Sequence, residues 1–231
     1  MTTRRLVLPS VPLHLRQRGV DGGPTFIAAD DYAYYLWALR HAATAAQCLV
    51  HAYALMTNHV HLLVTPEDVT GPARLMKALG RRYVRYFNDR YQRTGPLWEG
   101  RYRSTIVDSR EYFFSCSRYI DQNPVRAGLV EKSGAYTWSS YRHNALGGAD
   151  RVVTPHAEYD ALGADRTARC AAYRRLCDSA LDTIEAVTVR AELPGRPRLY
   201  PTAYQQLAAS MLGLGTLRRS QPNIEPELPR A

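Results

Sequence analysis

The sequence predicts an α+β fold: a ferredoxin-like βαββαβ core with an antiparallel sheet and its helices on one face, followed by a helical C-terminal extension. Three observations predict it. Period-two and period-3.6 hydrophobic segments follow one another in the order strand, helix, strand, strand, helix, strand, helix. The two central strands are joined only by Thr57-Asn58, too short for anything but an antiparallel turn. The character of the chain changes after about residue 146, at Gly147 and Gly148, and no further strand pattern follows. The chain therefore divides into residues 1–145 and residues 146–231.

Residues 11–18 alternate, with Val11, Leu13 and Leu15 on one side and His14, Arg16 and Arg18 on the other. Gly19, Gly22, Gly23 and Pro24 make a loop, and Asp30-Asp31 opens an aromatic-rich helix that runs to about Ala45. Residues 48–56 and 59–65 read as the paired strands. Thr70-Gly71-Pro72 starts the second helix, with Pro near its first position. That helix is expected to bury Leu75, Leu79, Tyr83 and Tyr86 and to carry Lys77, Arg81 and Arg85 as a stripe one turn apart. Residues 101–107 form the last strand. Ser109 and Glu111 suit an N-cap and a first-turn acid for a helix ending near Gln122, since Asn123 precedes Pro124. With both core helices on one face, the other face of the sheet is expected to be open and lined by His14, Arg16 and Arg18. In the extension, residues 165–191 read as an amphipathic helix with Cys170, Tyr173, Cys177, Leu181 and Ile184 on one stripe. A short helix is expected near 203–212 and a mobile tail from Gly213.

Composition narrows the function. The chain has 231 residues, 45% hydrophobic and 22% charged, which suits a globular protein. Its longest apolar stretch, Ala42 to Met56, is broken by Gln47 and His51, so no membrane span is expected. The N-terminus carries no signal-peptide pattern, and a cytoplasmic location is expected. The formal charge is +9. Residues 71–126 hold twelve basic side chains against five acidic ones, interleaved with Tyr83, Tyr86, Tyr91, Trp98 and Tyr102. Basic residues mixed with aromatics suit a nucleic-acid surface, and equally a solvated helix face over a tyrosine core. Cys48, Cys116, Cys170 and Cys177 form no CxxC pair and read as reduced core residues.

Two segments carry candidate chemistry. His59-Val60-His61 places two imidazoles on one strand face, where they could share a divalent ion; two histidines on a half-polar face read the same way. No cysteine pair supports structural zinc, and two histidines with one oxygen donor leave positions for phosphate and water, which suits Mg²⁺ or Mn²⁺. Tyr119 and Asn123 lie four apart near a helix end, as a nucleophile and an adjacent metal donor would, or as a core tyrosine and a capping asparagine.

Together these segments resemble a known family. Thr57-Asn-His-Val-His-Leu-Leu63 is similar to the HUH motif of the IS200-like, single-tyrosine transposases, with Thr57 in place of the usual proline. Arg118-Tyr-Ile-Asp-Gln-Asn-Pro-Val-Arg-Ala-Gly128 resembles the signature of their REP-associated tyrosine transposase branch. So do Thr94-Gly-Pro-Leu-Trp-Glu-Gly-Arg-Tyr-Arg103, Tyr136-Thr-Trp-Ser-Ser-Tyr141 and His14-Leu-Arg-Gln-Arg-Gly19. The resemblance spans about residues 5–145. It implies that His59, His61 and Asn123 bind Mg²⁺ or Mn²⁺ and that Tyr119 attacks a phosphate of single-stranded DNA. A 5′-phosphotyrosine link and a free 3′-OH result, and another 3′-OH rejoins the strand. The implied substrates are REP-like palindromic hairpins, and the branch favours a monomer over a dimer. His14, Arg16, Arg18, Lys77, Arg81, Arg85, Arg101, Tyr102 and Arg103 are the candidates for DNA contact, with His14 also able to support the site. The rival reading is a domesticated hairpin-binding protein with weak or lost catalysis.

Overall fold

Burial pattern and pairing explain the order of the elements. A computed structural model describes residues 5–178. Strand β1 (Leu13–Arg18) is followed by α1 (Ala29–Ala45), the hairpin β2 (Cys48–Leu55) and β3 (His59–Pro66), then α2 (Gly71–Arg90), β4 (Arg103–Ile106) and α3 (Arg110–Arg126). The sheet is antiparallel throughout, in the order β2-β3-β1-β4. The expected α+β class and βαββαβ order are therefore observed, with β4 shorter than the 101–107 read from the sequence.

The period-two rule sorts the sheet. Leu13, Leu15, Val50, Tyr53, Leu62 and Val64 lie on one face and are nearly fully buried. Helices α1 and α2, packed on one another, cover that face. In α2 the buried stripe is Leu75, Leu79, Tyr83 and Phe87. Tyr86, expected in that stripe, is half-buried and stacks on Tyr34 with ring centroids 3.9 Å apart. A strict four-residue step places Phe87, not Tyr86, beneath the helix. Asp31 in the first turn of α1 accepts from the main-chain amides of Ile27 and Ala28 and from Tyr86 and Tyr91, which ties the start of α1 to the end of α2.

The other face carries His14, Arg16, His59, His61, Leu63, Ala52 and Ala54. It is not left open as expected. Helix α3 packs over its β2–β3 half, burying Phe113, Cys116, Tyr119 and Ile120 against Ala52, Ala54 and Leu63. Ser109 caps α3 by accepting from the Tyr112 amide, as its position predicts. The helix continues past Gln122 to Arg126 with Pro124 inside it. Pro124 stands in the last turn and has no amide proton to donate to the Ile120 carbonyl, while the amides of Ala127 and Leu129 close the end on the carbonyls of Asn123 and Pro124.

Beyond α3 the chain returns to the outer edge of β2. Leu55 donates to Trp138, Ser140 to Tyr53, and Thr154 to Val50. The edge is thereby capped rather than left to pair elsewhere. Helices α4 (Tyr141–Leu146), α5 (Ala157–Asp160) and α6 (Arg166–Asp178) finish the described chain, with Cys170, Tyr173 and Cys177 of the expected stripe buried. Leu181, Ile184, the short helix near 203–212 and the tail from Gly213 lie outside the described residues. All four cysteines are buried. Among the described residues no helix is long and apolar enough to cross a membrane.

Candidate active site on the sheet face

The hairpin turn at Thr57-Asn58 sets the two histidines. With Val60 buried on the helical side, His59 and His61 must share the opposite face, and their rings lie 5.0 Å apart, edge to face. Neighbouring side chains hold each ring by its Nδ1. Asn58 Oδ1 lies 2.7 Å from Nδ1 of His59, and His14 Nε2 lies 2.8 Å from Nδ1 of His61. Both contacts engage Nδ1 and leave the Nε2 atoms as the candidate donors.

Helix α3 brings the second half of the site to the same place. The ring of Tyr119 stands nearly perpendicular to His61, with centroids 5.7 Å apart, and to His14 at 6.3 Å. One turn on, Nδ2 of Asn123 lies 3.2 Å from Nε2 of His61. Exchanging the two ends of that amide turns its oxygen toward the same space. Arg126 lies with its guanidinium carbon 5.4 Å from the Tyr119 ring centroid. Residues sixty positions apart in the chain thus meet on one face.

Electrostatics follow from this packing. Burial holds the imidazoles of His14 and His59 down, to about 3 and about 4, with the charge of Arg16 adding to the effect on both and that of Arg18 on His59. His61 is also held well below the ordinary imidazole range, first by burial and then by His14, His59 and Arg16. All three are neutral at physiological pH and can act as nitrogen donors. Register sets Arg16 between His61 and Arg103, and Arg18 opposite His59, so the imidazoles sit in a cationic surround suited to a phosphate.

The other sequence-derived candidates divide. Arg16, Arg18 and Arg103 flank the histidines. His14, named as a DNA contact, is buried and held against His61 instead. Tyr102 is also buried; Arg5 covers its ring at 4.0 Å and donates to its carbonyl, so a stacked base would first have to displace Arg5. Arg101 is exposed beside it. Lys77, Arg81 and Arg85 are exposed on α2, in the helical layer behind the sheet, with Arg85 3.7 Å from Asp89. They do not converge with the histidines. The sequence reading missed Asn58 and Arg126; both sit inside the motifs already noted, one before His59 and one a turn beyond Asn123.

Among the described residues no group of three His, Cys, Asp or Glu side chains is placed to hold a metal ion. Beside the two imidazoles, the Asn123 amide is placed to offer a further donor. The donor set fits a divalent ion: two neutral imidazoles fixed through Nδ1, and an amide that can present oxygen.

Residues 25–123 match the family model described as Transposase IS200 like. No curated protein matches the chain. The structure of a REP-associated tyrosine transposase bound to a REP hairpin superposes with a TM-score of 0.55 at 13% identity, covering 68% of this chain and 92% of that one. At that identity the likeness is one of fold. A crystal structure of a putative transposase from Deinococcus radiodurans R1 is 24% identical, covers 48% of this chain and 89% of its own, and superposes only loosely, with a TM-score of 0.35. The matched span, Thr25 to Asn123, holds both histidines, the tyrosine and the amide, and over it this chain is similar to the IS200-like transposases.

Proposed function

We propose that the protein is a metal-dependent single-strand DNA endonuclease and strand transferase acting on palindromic hairpins through a 5′-phosphotyrosine intermediate. The observation that carries this reading is the packing of the Tyr119 ring against His61, beside Asn123, on the one sheet face that also bears His59. The hairpin as substrate is drawn from the structural neighbour, which is bound to a REP hairpin.

The chain's own groups divide the work. Asn58 accepts the Nδ1 proton of His59, and His14 Nε2 accepts that of His61, so each ring keeps its Nε2 lone pair for a ligand. Mg²⁺ or Mn²⁺ held by His59, His61 and Asn123 would supply positive charge at the scissile phosphate. Arg16, Arg18 and Arg103 bind that phosphate and its neighbours. The Tyr119 oxygen forms a bond to phosphorus, the bond from phosphorus to the 3′ oxygen breaks, and the phenol proton is released while the 3′ oxygen leaves as a hydroxyl. Another strand's 3′-OH attacks the phosphotyrosine, the Tyr119–phosphorus bond breaks, and the phenol is restored. One P–O bond replaces another at each step, so no external energy source is needed. We assign this chemistry to residues 1–145, in a monomer, with residues 146–231 as a supporting extension.

Hairpin DNA incubated with Mn²⁺ tests the reading. The expected outcome is a covalent protein–DNA adduct that disappears in Tyr119→Phe. Hairpin binding with no adduct in the wild type would leave the DNA-binding reading in its place.

A further inference from the structure

We infer that Asp121 is a positioning residue: through Ser140 and Tyr173 it holds the helix that carries Tyr119 and Asn123 in register with the strands that carry His59 and His61. This rests on the reading above and names a determinant of it outside the reacting groups. Asp121 lies two residues from each of Tyr119 and Asn123, about 200° around the helix, and so occupies the opposite flank. Its side chain touches neither histidine ring.

Its partners are placed for the task. Asp121 is fully buried. Its Oδ1 accepts from Ser140 Oγ at 2.6 Å and its Oδ2 from the Tyr173 hydroxyl at 2.8 Å. Ser140 is fixed in turn to the outer edge of β2: its Oγ accepts from the Tyr53 amide at 2.9 Å, and its own amide donates to the Tyr53 carbonyl at 2.9 Å. The next residue of β2, Ala54, is the register partner of His61. Three links therefore join the helix of the tyrosine to the strand of the histidine. The second anchor comes from α6, where Tyr173 holds Asp121 and the Cys177 carbonyl accepts from the side-chain amide of Gln122. Two consecutive residues of α3 are thus held by the extension.

The chemistry supports a role beyond filling space. A buried carboxyl is costly, and here both of its oxygens are engaged, one by Ser140 and one by Tyr173. An apolar side chain would fill the same volume more stably but would let α3 slide over Ala52 and Leu63. Directional hydrogen bonds permit one register only. A composite site needs that register, since a misplacement of about 1 Å can cost roughly a hundredfold in rate.

The test uses the full-length protein with hairpin DNA and Mn²⁺, reading kcat and KM for cleavage, and amide hydrogen exchange across residues 119–123 without DNA or metal. Asp121→Ala is expected to lower kcat by roughly ten- to a hundredfold with KM within about twofold. Asp121→Asn is expected to recover most of that loss, because its Oδ1 still accepts from one partner hydroxyl while the other turns to accept from Nδ2. Tyr173→Phe, which removes a single hydroxyl and serves if Asp121→Ala fails to fold, should lower kcat by several-fold, about threefold or more. Exchange at 119–123 should speed up by about tenfold in Asp121→Ala and measurably in Tyr173→Phe, and return toward wild type in Asp121→Asn. Unchanged kcat in folded Asp121→Ala or Tyr173→Phe, a change confined to KM, or unchanged exchange overturns the inference. Absence of any adduct in the wild type defeats the nuclease reading instead; the exchange measurement then decides the positioning role alone.

Discussion

Asn123 and His61 stand 62 residues apart, yet the amide of one lies 3.2 Å from Nε2 of the other. That contact joins a helix end to a strand and places an amide, an imidazole pair and a phenol within one small region. It gives the first expectation. His59→Ala removes a half-buried ring without opening the core, so it should abolish adduct formation while hairpin affinity changes by no more than about threefold, because phosphate contacts dominate binding. Filter binding and adduct gels on the same preparation check this. Unchanged cleavage in His59→Ala would sink the metal assignment.

His14 gives a sharper expectation because the sequence allowed it two roles, DNA contact or support of the site, and its burial favours the second. It is buried and hydrogen-bonded to His61. His14→Gln should lower the cleavage rate about ten- to a hundredfold, as loss of a ligand-orienting partner does, and leave the hairpin dissociation constant unchanged. A weakened hairpin complex with normal turnover would return His14 to the DNA surface.

How much of this was legible beforehand follows from where each signal resides. The alternation of β1 and the HxH pair of β3 placed His14, Arg16, His59 and His61 on one face, because strand period depends on local sequence alone. The two-residue hairpin fixed the pairing of β2 and β3. What local sequence cannot carry is the partner across the sheet. The His14–His61 contact depends on β1 pairing with β3, 47 residues on. The cover of α3 over the second face depends on the apolar flank formed by Ala52, Ala54 and Leu63, whose small side chains leave room for a helix. The Tyr86 and Phe87 exchange in α2 is a one-residue shift in a stripe, which helical periodicity alone resolves poorly. Asp121 was hidden for the same reason: its partners lie 19 and 52 residues further along.

The two basic groups should separate by function. Arg18 and Arg103 flank the histidines, whereas Lys77, Arg81 and Arg85 lie in the helical layer behind the sheet. Arg18→Ala and Arg103→Ala should each reduce the slope of log affinity against log salt by about one phosphate contact and also slow cleavage at saturating DNA. The triple change Lys77→Ala, Arg81→Ala, Arg85→Ala should weaken binding without altering the saturated rate. A slower saturated rate in the triple variant would contradict the placement of these side chains away from the scissile phosphate.

Stability should fall in mild acid. His51 is buried between the Thr154 carbonyl and the Thr65 hydroxyl, and burial holds it down to about 4; His59 is also near 4 and His14 near 3. The unfolded chain takes up these protons near pH 6.5 and the folded one only near 4 at His51 and His59 and near 3 at His14, so each contribution is complete above about 6.5 and is lost as pH falls toward those values. Asp121 acts oppositely, since burial raises it to about 7 and the folded state takes its proton first. Three histidines outweigh one aspartate. Urea midpoints measured in chelator should therefore drop from pH 7 to pH 4.5, and His51→Gln should remove about 1.4 kcal/mol per pH unit from the slope between about 4.5 and 6. A flat profile over this range contradicts the neutral, buried imidazoles.

Metal affinity should depend on DNA. The donor set of His59, His61 and Asn123 carries no negative charge, and Arg16 and Arg18 lie close enough to depress the neighbouring imidazoles. Unit charges about 4 Å apart near a protein surface interact by about 4 kcal/mol, so two guanidinium groups oppose a divalent cation strongly. A DNA phosphate in the same place reverses the sign by neutralising the arginines and offering an anionic oxygen. Mn²⁺ binding followed by electron paramagnetic resonance should therefore be weak in the free protein and at least about tenfold tighter with hairpin DNA carrying the scissile phosphate. Asn123→Asp puts a carboxylate where the amide stood and should raise Mn²⁺ affinity of the free protein while shrinking the gain from DNA. Equal Mn²⁺ affinity with and without DNA in the wild type would mean that the arginines do not share the site with the ion.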